Sequence, residues 1–340
     1  MAKVSVLGSG SWGTAMAMCL ANNGHNILLW SRNEQTTEEL TKTHINEKYL
    51  PDVVLPENIN FTSDISKCAD ADVIIVATPS HTVRQVCKAI SPYIKDGQII
   101  VSISKGFDEE NYNRLSQVIA EEIPNCKVAA MSGPSHAEEV VKKLPTTNVV
   151  ACKDIEVAKY IQEIFISEHF RIYTTDDIVG VELGGSLKNV IALCSGISDG
   201  LGYGDNTKAA LMTRGMAEII RLGLAMGAKY ETFTGLSGIG DLIVTCTSMH
   251  SRNRRAGILI GQGKSLEEAQ AEVKMVVEGV KTAKAVKQLS ERYNVEMPIS
   301  RVAYEVLFEG MPVKESVSAL MNRAMKSERE IYTSMGGRNV

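Results

Sequence analysis

The sequence contains no CxxC pair and no cluster of cysteine with histidine. Its seven cysteines, Cys19, Cys68, Cys87, Cys126, Cys152, Cys194 and Cys246, stand singly, mostly beside apolar residues. That spacing argues against a disulfide framework or a zinc site and for free thiols in a reducing cytoplasm. The six histidines show no ligand spacing either, so no metal is expected. Excess positive charge is also missing: 36 Lys and Arg against 40 Asp and Glu leave a net charge of -4. A nucleic-acid partner would find no electrostatic footprint, and any phosphate site must be local. Repeats, low-complexity runs and long linkers do not occur. The opening MAKVSVLG reaches a glycine turn after too few apolar residues for a signal peptide or a membrane span. The expectation is a cytoplasmic protein with no membrane insertion; its oligomeric state stays open, a homodimer included.

What is present is enough apolar material for two domains: 340 residues, 44% of them hydrophobic, with a mean hydropathy of -0.03. Lys3 to Leu7 has the composition of a buried strand. It runs through Gly8-Ser9-Gly10-Ser11-Trp12-Gly13 into a helical pattern from Thr14 to Asn22. GxGxxG between strand and helix is the context in which the motif binds a dinucleotide. Gly8 allows the tight turn, Gly10 lets a pyrophosphate approach, and Gly13 lets helix and strand pack closely. The helix start offers N–H groups to the phosphates. Further strands are expected at Ile27 to Trp30, Asp72 to Ala77, Gln98 to Ile103, Lys127 to Met131 and Asn148 to Ala151, with helices between them. The fold class that follows is an α/β amino-terminal domain with a Rossmann-type doubly wound sheet, residues 1–178. An all-α carboxyl-terminal domain, 179–340, completes it. Ser334 to Val340 reads as a frayed end.

Ligands of such sheets bind beyond the carboxyl ends of the strands, and those ends carry polar residues. Arg32, after the second strand, stands where an NAD-specific site has an acid, and it suits the 2′-phosphate of NADP. Lys105, in a strand-end turn, is placed to hold an anion. Ser135 and Glu138 form the S-x-x-E pattern of a capping box.

The second half holds one lysine inside a helical run whose other charges, Glu182 and Asp199, stand at its ends, VELGGSLKNVIALCSGISDG from Val181 to Gly200. Apolar residues point from it in nearly every direction, so the helix is expected to be buried. Lys188, Ala192, Ser195 and Asp199 form its one soft stripe. Gly184 and Gly185 leave room for a ligand or another backbone beside the lysine. A buried ammonium needs a partner, a shifted pKa or both. A structural ion pair, with Asp199 or another acid, is the alternative to catalysis. The glycine-rich Thr234 to Asp241 places Asp241 near a helix start, and Ser251-Arg252-Asn253 has the donors of a phosphate pocket at another.

Taken together, GSGSWGTA, ISKG, SGPSHAEEV, VELGGSLKNVIAL, GLSGIGDLIVTC, SRNR and VVEGV closely resemble the bacterial NAD(P)-dependent glycerol-3-phosphate dehydrogenases, in order and along nearly the whole chain. The resemblance implies reversible reduction of dihydroxyacetone phosphate to sn-glycerol 3-phosphate for phospholipid synthesis, with NADPH or NADH as cofactor. It implies Lys188 as the catalytic proton acceptor in the oxidation direction. Lys105, Gly133, Ser135, Asp241, Ser251, Arg252 and Asn253 match the substrate positions. Ser11, Trp12, Arg32, Lys105, Ala137, Arg252, Val276 and Glu278 match the cofactor positions, beside Gly8, Gly10 and Gly13. Lys188 is expected to act with a pKa lowered by burial and by Lys105, and Asp241 to orient substrate hydroxyls rather than pair with the lysine. Two rivals remain: a related two-domain dehydrogenase for β-hydroxyacids, which needs a carboxylate anchor, and a non-catalytic NAD(P)-binding redox sensor, which leaves Lys188 unexplained.

Overall fold

In a computed structural model, which describes residues 1–325, 327 and 328, the chain forms two compact units, Met1–Glu182 and Leu183–Val340. The stretch 334–340, expected to fray, lies outside the described residues.

The first unit runs β1 (Lys3–Leu7), α1 (Ser11–Asn22), β2 (Asn26–Trp30), α2 (Glu34–Thr43), β3 (Ile45–Asn46), β4 (Leu50–Val54), β5 (Ile59–Thr62) and β6 (Val73–Val76). It continues through α3 (Val83–Ile90), β7 (Ile99–Ser102), α4 (Leu115–Glu122), β8 (Lys127–Ser132), α5 (Ala137–Val140), β9 (Thr146–Cys152), α6 (Ile155–Phe165) and β10 (Phe170–Thr175). Eight strands make one sheet in the order β10-β9-β8-β7-β6-β1-β2-β5, and β3 and β4 pair by themselves. Alternation along each strand divides the core between the two faces. Val4, Val6, Ile27, Leu29 and Ile75 pack with α1 and α6 on one side; Leu7, Ile74, Val76 and Ile100 pack with α3 and α4 on the other. β1 lies between β2 and β6, with Val6 opposite Leu29 and Ile75. The strand order changes direction here, which opens a crevice beyond the carboxyl end of β1.

The sheet departs from all-parallel order at one place. β8 and β9 are antiparallel, with Ala130 opposite Ala151, and β10 then runs parallel to β9. The connection from β8 holds only the four-residue α5, and it turns the chain back instead of carrying it across the sheet as a parallel crossover would. The expected capping box does not form there. α5 starts at Ala137 with His136 at its cap and no side-chain cap bond, so Glu138 stands one residue too early to reciprocate with Ser135.

α7 (Ile178–Gly200) begins in the first unit, where Glu182 accepts hydrogen bonds from the Ser116 N–H at 2.7 Å and from the Ser116 hydroxyl and Arg114 at 2.5 Å. It is long and apolar enough to cross a membrane by length and composition, but 89% of the apolar window is buried inside the protein, as in a core helix. The second unit continues with α8 (Asp205–Ala225), α9 (Tyr230–Phe233), α10 (Asp241–Thr247), α11 (Arg252–Gly261), α12 (Leu266–Val273), α13 (Glu278–Arg292), α14 (Pro298–Phe308) and α15 (Val313–Met321). α7 and α11 meet backbone to backbone. A Cβ on Gly196 would lie 2.1 Å from the Arg254 carbonyl oxygen, and one on Gly257 would lie 2.1 Å from that of Leu193. Any side chain at either glycine would drive the helices apart.

Candidate active site

In the first unit the glycine turn is built as its motif requires. Gly8 has φ +121, and its N–H donates to Trp30 O at 3.0 Å. A Cβ on Gly13 would lie 2.0 Å from Gly8 O, so only glycine lets α1 start so close to the end of β1. A Cβ on Gly10, by contrast, would meet nothing within 4 Å. That side of the turn is open, and α1 has no side-chain cap at its first residues, Ser11, Trp12 and Gly13. Their N–H groups and the helix dipole therefore suit a pyrophosphate. Trp12 is half-buried against the core. Arg32 is exposed just beyond β2, while Asn33 caps α2 by accepting from the Thr36 N–H.

Lys105, Gly133 and Ser135 come together as the sequence suggested. The Lys105 ammonium and the Ser135 hydroxyl both donate to Gly133 O, at 3.2 and 2.9 Å. Gly133 has φ +150, and a Cβ there would lie 2.3 Å from the Asn148 side-chain oxygen. Ala137 is buried as the first residue of α5.

In the second unit Lys188 is 5% exposed on α7, and its ammonium donates to the Asp241 carboxylate at 2.6 Å and to Thr245 Oγ1 at 2.5 Å. The Thr245 hydroxyl in turn donates to Asp241 O at 2.6 Å. The expectation that Asp241 would stay clear of the lysine is corrected here: it is 1% exposed and pairs with it directly. Two buried opposite charges are cheaper together than apart. The carboxylate favours the ammonium form and opposes the effect of burial. Asp199, the other acid considered as a partner, binds Arg254 at 2.7 Å and Lys208 at 2.8 Å. The soft stripe of α7 nevertheless faces one way, because Ser195 donates to Cys246 O at 3.2 Å on α10. Gly184 takes the close approach of a backbone: a Cβ there would lie 2.4 Å from Ser237 O.

Ser251 caps α11 by accepting from the Arg254 N–H at 3.2 Å, and Arg252, half-buried, is the first helical residue. Asn253 turns inward. Its amide donates to Asn189 Oδ1 at 2.9 Å, and its oxygen accepts from the Gly279 N–H at 2.8 Å. It thereby ties α11 to the residue next to Lys188 and to the start of α13. Val276 lies half-buried in the loop before α13, and Glu278 is the first residue of that helix. Sequence reasoning missed Thr245 and Asn189. The signal for Thr245 was its place one helical turn after Asp241, on the same face.

A glycine turn at the strand-order reversal of a doubly wound sheet, joined in one chain to a helical unit with a buried lysine, defines a two-domain nicotinamide-nucleotide dehydrogenase. The family model for the NAD-dependent glycerol-3-phosphate dehydrogenase amino terminus matches residues 3–158, and that for the carboxyl terminus matches 177–318. A Clostridium perfringens (strain SM101 / Type A) glycerol-3-phosphate dehydrogenase (NAD(P)+) is 53% identical over 329 residues, covering 96% of this chain and 99% of the relative. One from Lysinibacillus sphaericus is 53% identical over 332 residues, covering 96% and 98%. The crystal structure of glycerol-3-phosphate dehydrogenase from Coxiella burnetii superposes with a TM-score of 0.92 at 36% identity, covering 95% of this chain and 99% of that one. The chain belongs to the NAD-dependent glycerol-3-phosphate dehydrogenase family. It is an oxidoreductase that uses NAD or NADP, and the family's reaction is the reduction of dihydroxyacetone phosphate to glycerol 3-phosphate.

Proposed function

We propose that this chain carries out that reaction with Lys188 as the proton-transfer group and with NADPH preferred over NADH. The observation that carries the proposal is the buried ammonium of Lys188, held by Asp241 and Thr245. The nicotinamide cofactor supplies the hydride when bound. Reduction of a ketone leaves an alkoxide that must gain a proton, and an ammonium stabilised by a carboxylate is already the acid form needed. Asp241 thus holds the proton in place until the alkoxide forms, and Thr245 fixes the direction of the amine. In oxidation the amine accepts the hydroxyl proton and Asp241 stabilises the charge that results.

In the first unit, residues 1–178 serve as the dinucleotide-binding domain. Gly8, Gly10, Ser11, Trp12 and Gly13 hold the pyrophosphate, and Arg32 meets the 2′-phosphate. Lys105, Gly133 and Ser135 contact the substrate, and Lys105 and Ala137 also contact the cofactor. In the second unit Ser251 and Arg252 hold the substrate phosphate, Asn253 keeps the start of α11 in register with Lys188, and Val276 and Glu278 serve the cofactor. Binding energy from the phosphate end then fixes the reacting carbon. The enzyme works in the cytoplasm as a supplier of phospholipid backbone, and a homodimer is the assembly to look for by light scattering.

The test is to follow NADPH absorbance on addition of dihydroxyacetone phosphate, with small oxo acids as competitors. Consumption with the phosphotriose alone is expected. Turnover of an oxo acid, or of nothing, overturns the proposal.

A further inference from the structure

Between α2 and β5 the chain makes the small hairpin of β3 and β4, apart from the main sheet. Apolar residues fix it to the first unit: Leu50 and Leu55 are buried in one cluster with Met16 and Leu20 of α1. His44 leaves α2 with φ 51, and the hairpin pairing shifts register between Ile45 and Asn46. An irregularity of this kind re-aims a side chain. Here it points Asn46, 3% exposed, at the glycine turn.

The Asn46 amide donates to Ser9 O at 2.9 Å and to Thr14 Oγ1 at 2.8 Å, so both of its N–H groups are spent on the turn. Those two acceptors bracket residues 10–13, and the Thr14 N–H closes the first turn of α1 on Gly10 O at 2.9 Å. Glycines at 8, 10 and 13 give the segment wide backbone freedom, and no side chain caps α1. A capping side chain would fix the turn only by occupying an N–H group that an anion needs. Asn46 fixes it through a carbonyl and a hydroxyl instead, and leaves the N–H groups of Ser11, Trp12 and Gly13 to a ligand.

We propose that Asn46 is a positioning residue of the cofactor site: it holds residues 9–14 in the shape that receives the pyrophosphate of the dinucleotide. Without it the cofactor must order the turn as it binds, and that cost appears as lost affinity. The inference rests on the reading that the glycine turn holds the pyrophosphate. Asn58 supplies a control on the same helix. Its amide donates to Ala21 O at 2.9 Å and to His25 O at 3.0 Å, a clamp of the same chemistry at the other end of α1, about 16 Å along the helix axis from Gly10.

The experiment compares Asn46→Ala with Asn58→Ala in the full-length enzyme, by NADPH fluorescence titration, steady-state kinetics and thermal melting. Asn46→Ala should raise Kd and KM for NADPH about tenfold, while kcat at saturating NADPH changes by less than about twofold. Asn58→Ala, whatever it costs in melting temperature, should change NADPH affinity by no more than about twofold. Inhibition by ADP-ribose, which carries the pyrophosphate, should weaken about tenfold in Asn46→Ala, and inhibition by adenosine 2′-monophosphate, which lacks it, should hold. Thr14→Val keeps the shape of the side chain and removes one of the two bonds; it should raise the NADPH Kd about threefold and carries the test if Asn46→Ala does not fold. Unchanged NADPH affinity in Asn46→Ala and Thr14→Val, equal losses in Asn46→Ala and Asn58→Ala, or equal weakening of both inhibitors would overturn the proposal. Gly10→Val separates the two failures. If it too leaves NADPH affinity unchanged, the turn does not hold the pyrophosphate and both readings fall; if it alone weakens binding, only the role of Asn46 falls.

Discussion

The glycine turn of the first unit and the lysine site of the second reach their chemistry by opposite means. The turn is made of backbone. Its residues are consecutive, Gly8 and Gly13 are needed because carbonyl oxygens lie 2.9 and 2.0 Å from where a Cβ would be, and its outer side, at Gly10, is open. The lysine site is made of side chains. Lys188 and Asp241 are 53 residues apart, both are buried, and the resting arrangement is a closed ion pair. A backbone site is ready before its ligand arrives, whereas a paired side-chain site must have its ion pair addressed by the substrate. The first should therefore fail through shape and the second through charge.

The sharpest break in that comparison is Lys188→Met. Removing the proposed proton donor while keeping an apolar chain of similar length should lower turnover by about 100 to 10,000-fold, the usual worth of general acid or base catalysis. NADPH binding, measured by fluorescence, should stay nearly unchanged. More than a tenth of the activity remaining would show that the proton comes from elsewhere.

A paired test on the turn follows. Gly10→Val places its side chain in open space, so the melting temperature should hold while NADPH affinity falls by about tenfold or more. Gly13→Val drives a Cβ into Gly8 O and should cost both affinity and roughly 1 to 3 kcal/mol or more of stability. If the two variants behave alike in a thermal melt, the open and closed sides of the turn have been misjudged.

The same contrast explains how much of the molecule was legible in its sequence. β1, the turn and α1 could be read because strand, glycines and helix are adjacent and each glycine answers to a local requirement. β6, β7 and β8 could be read as apolar runs buried on both faces. β4 and β5 could not: LPDVV carries a proline and exposes Pro51, Asp52 and Val54, and INFT is a four-residue edge strand, so neither shows a core strand's pattern. In the second unit α7 was evident from its apolar run, and Lys188 from being the exception in it. Its partner was not, since nothing in the spacing of Lys188 and Asp241 says that two helices will cross there. Beside Lys188 the close approach is that of Gly184 to Ser237 O just before α10, and further along α7 Gly196 and Gly200 meet Gly257 and Gly261 of α11, two GxxxG spacings that have meaning only once the helices are known to touch. The S-x-x-E pattern at Ser135 erred in the other direction: the local rule was present, but the strand end at Gly133 claimed the serine hydroxyl first.

Arg252→Ala bears on whether the second unit also anchors the substrate's far end. Loss of charged hydrogen bonds worth about 1.5 to 3 kcal/mol should raise KM for dihydroxyacetone phosphate by roughly ten- to a hundredfold. kcat should fall less, because the proton donor is untouched. Equal KM in steady-state assays would move the phosphate away from the start of α11.

The smallest effect is expected at Arg32, the one exposed side chain on which the proposed preference for NADPH rests. Replacing it by Glu reverses the charge just beyond β2 while leaving the turn intact. A surface charge contributes about 1 kcal/mol or less, so kcat/KM should shift by only about fivefold from NADPH towards NADH. The melting temperature should not move, because Arg32 lies outside the core and Asn33, not Arg32, caps α2. A ratio that does not change would mean that the 2′-phosphate is met by something other than this arginine, and that cofactor choice is not decided at the end of β2.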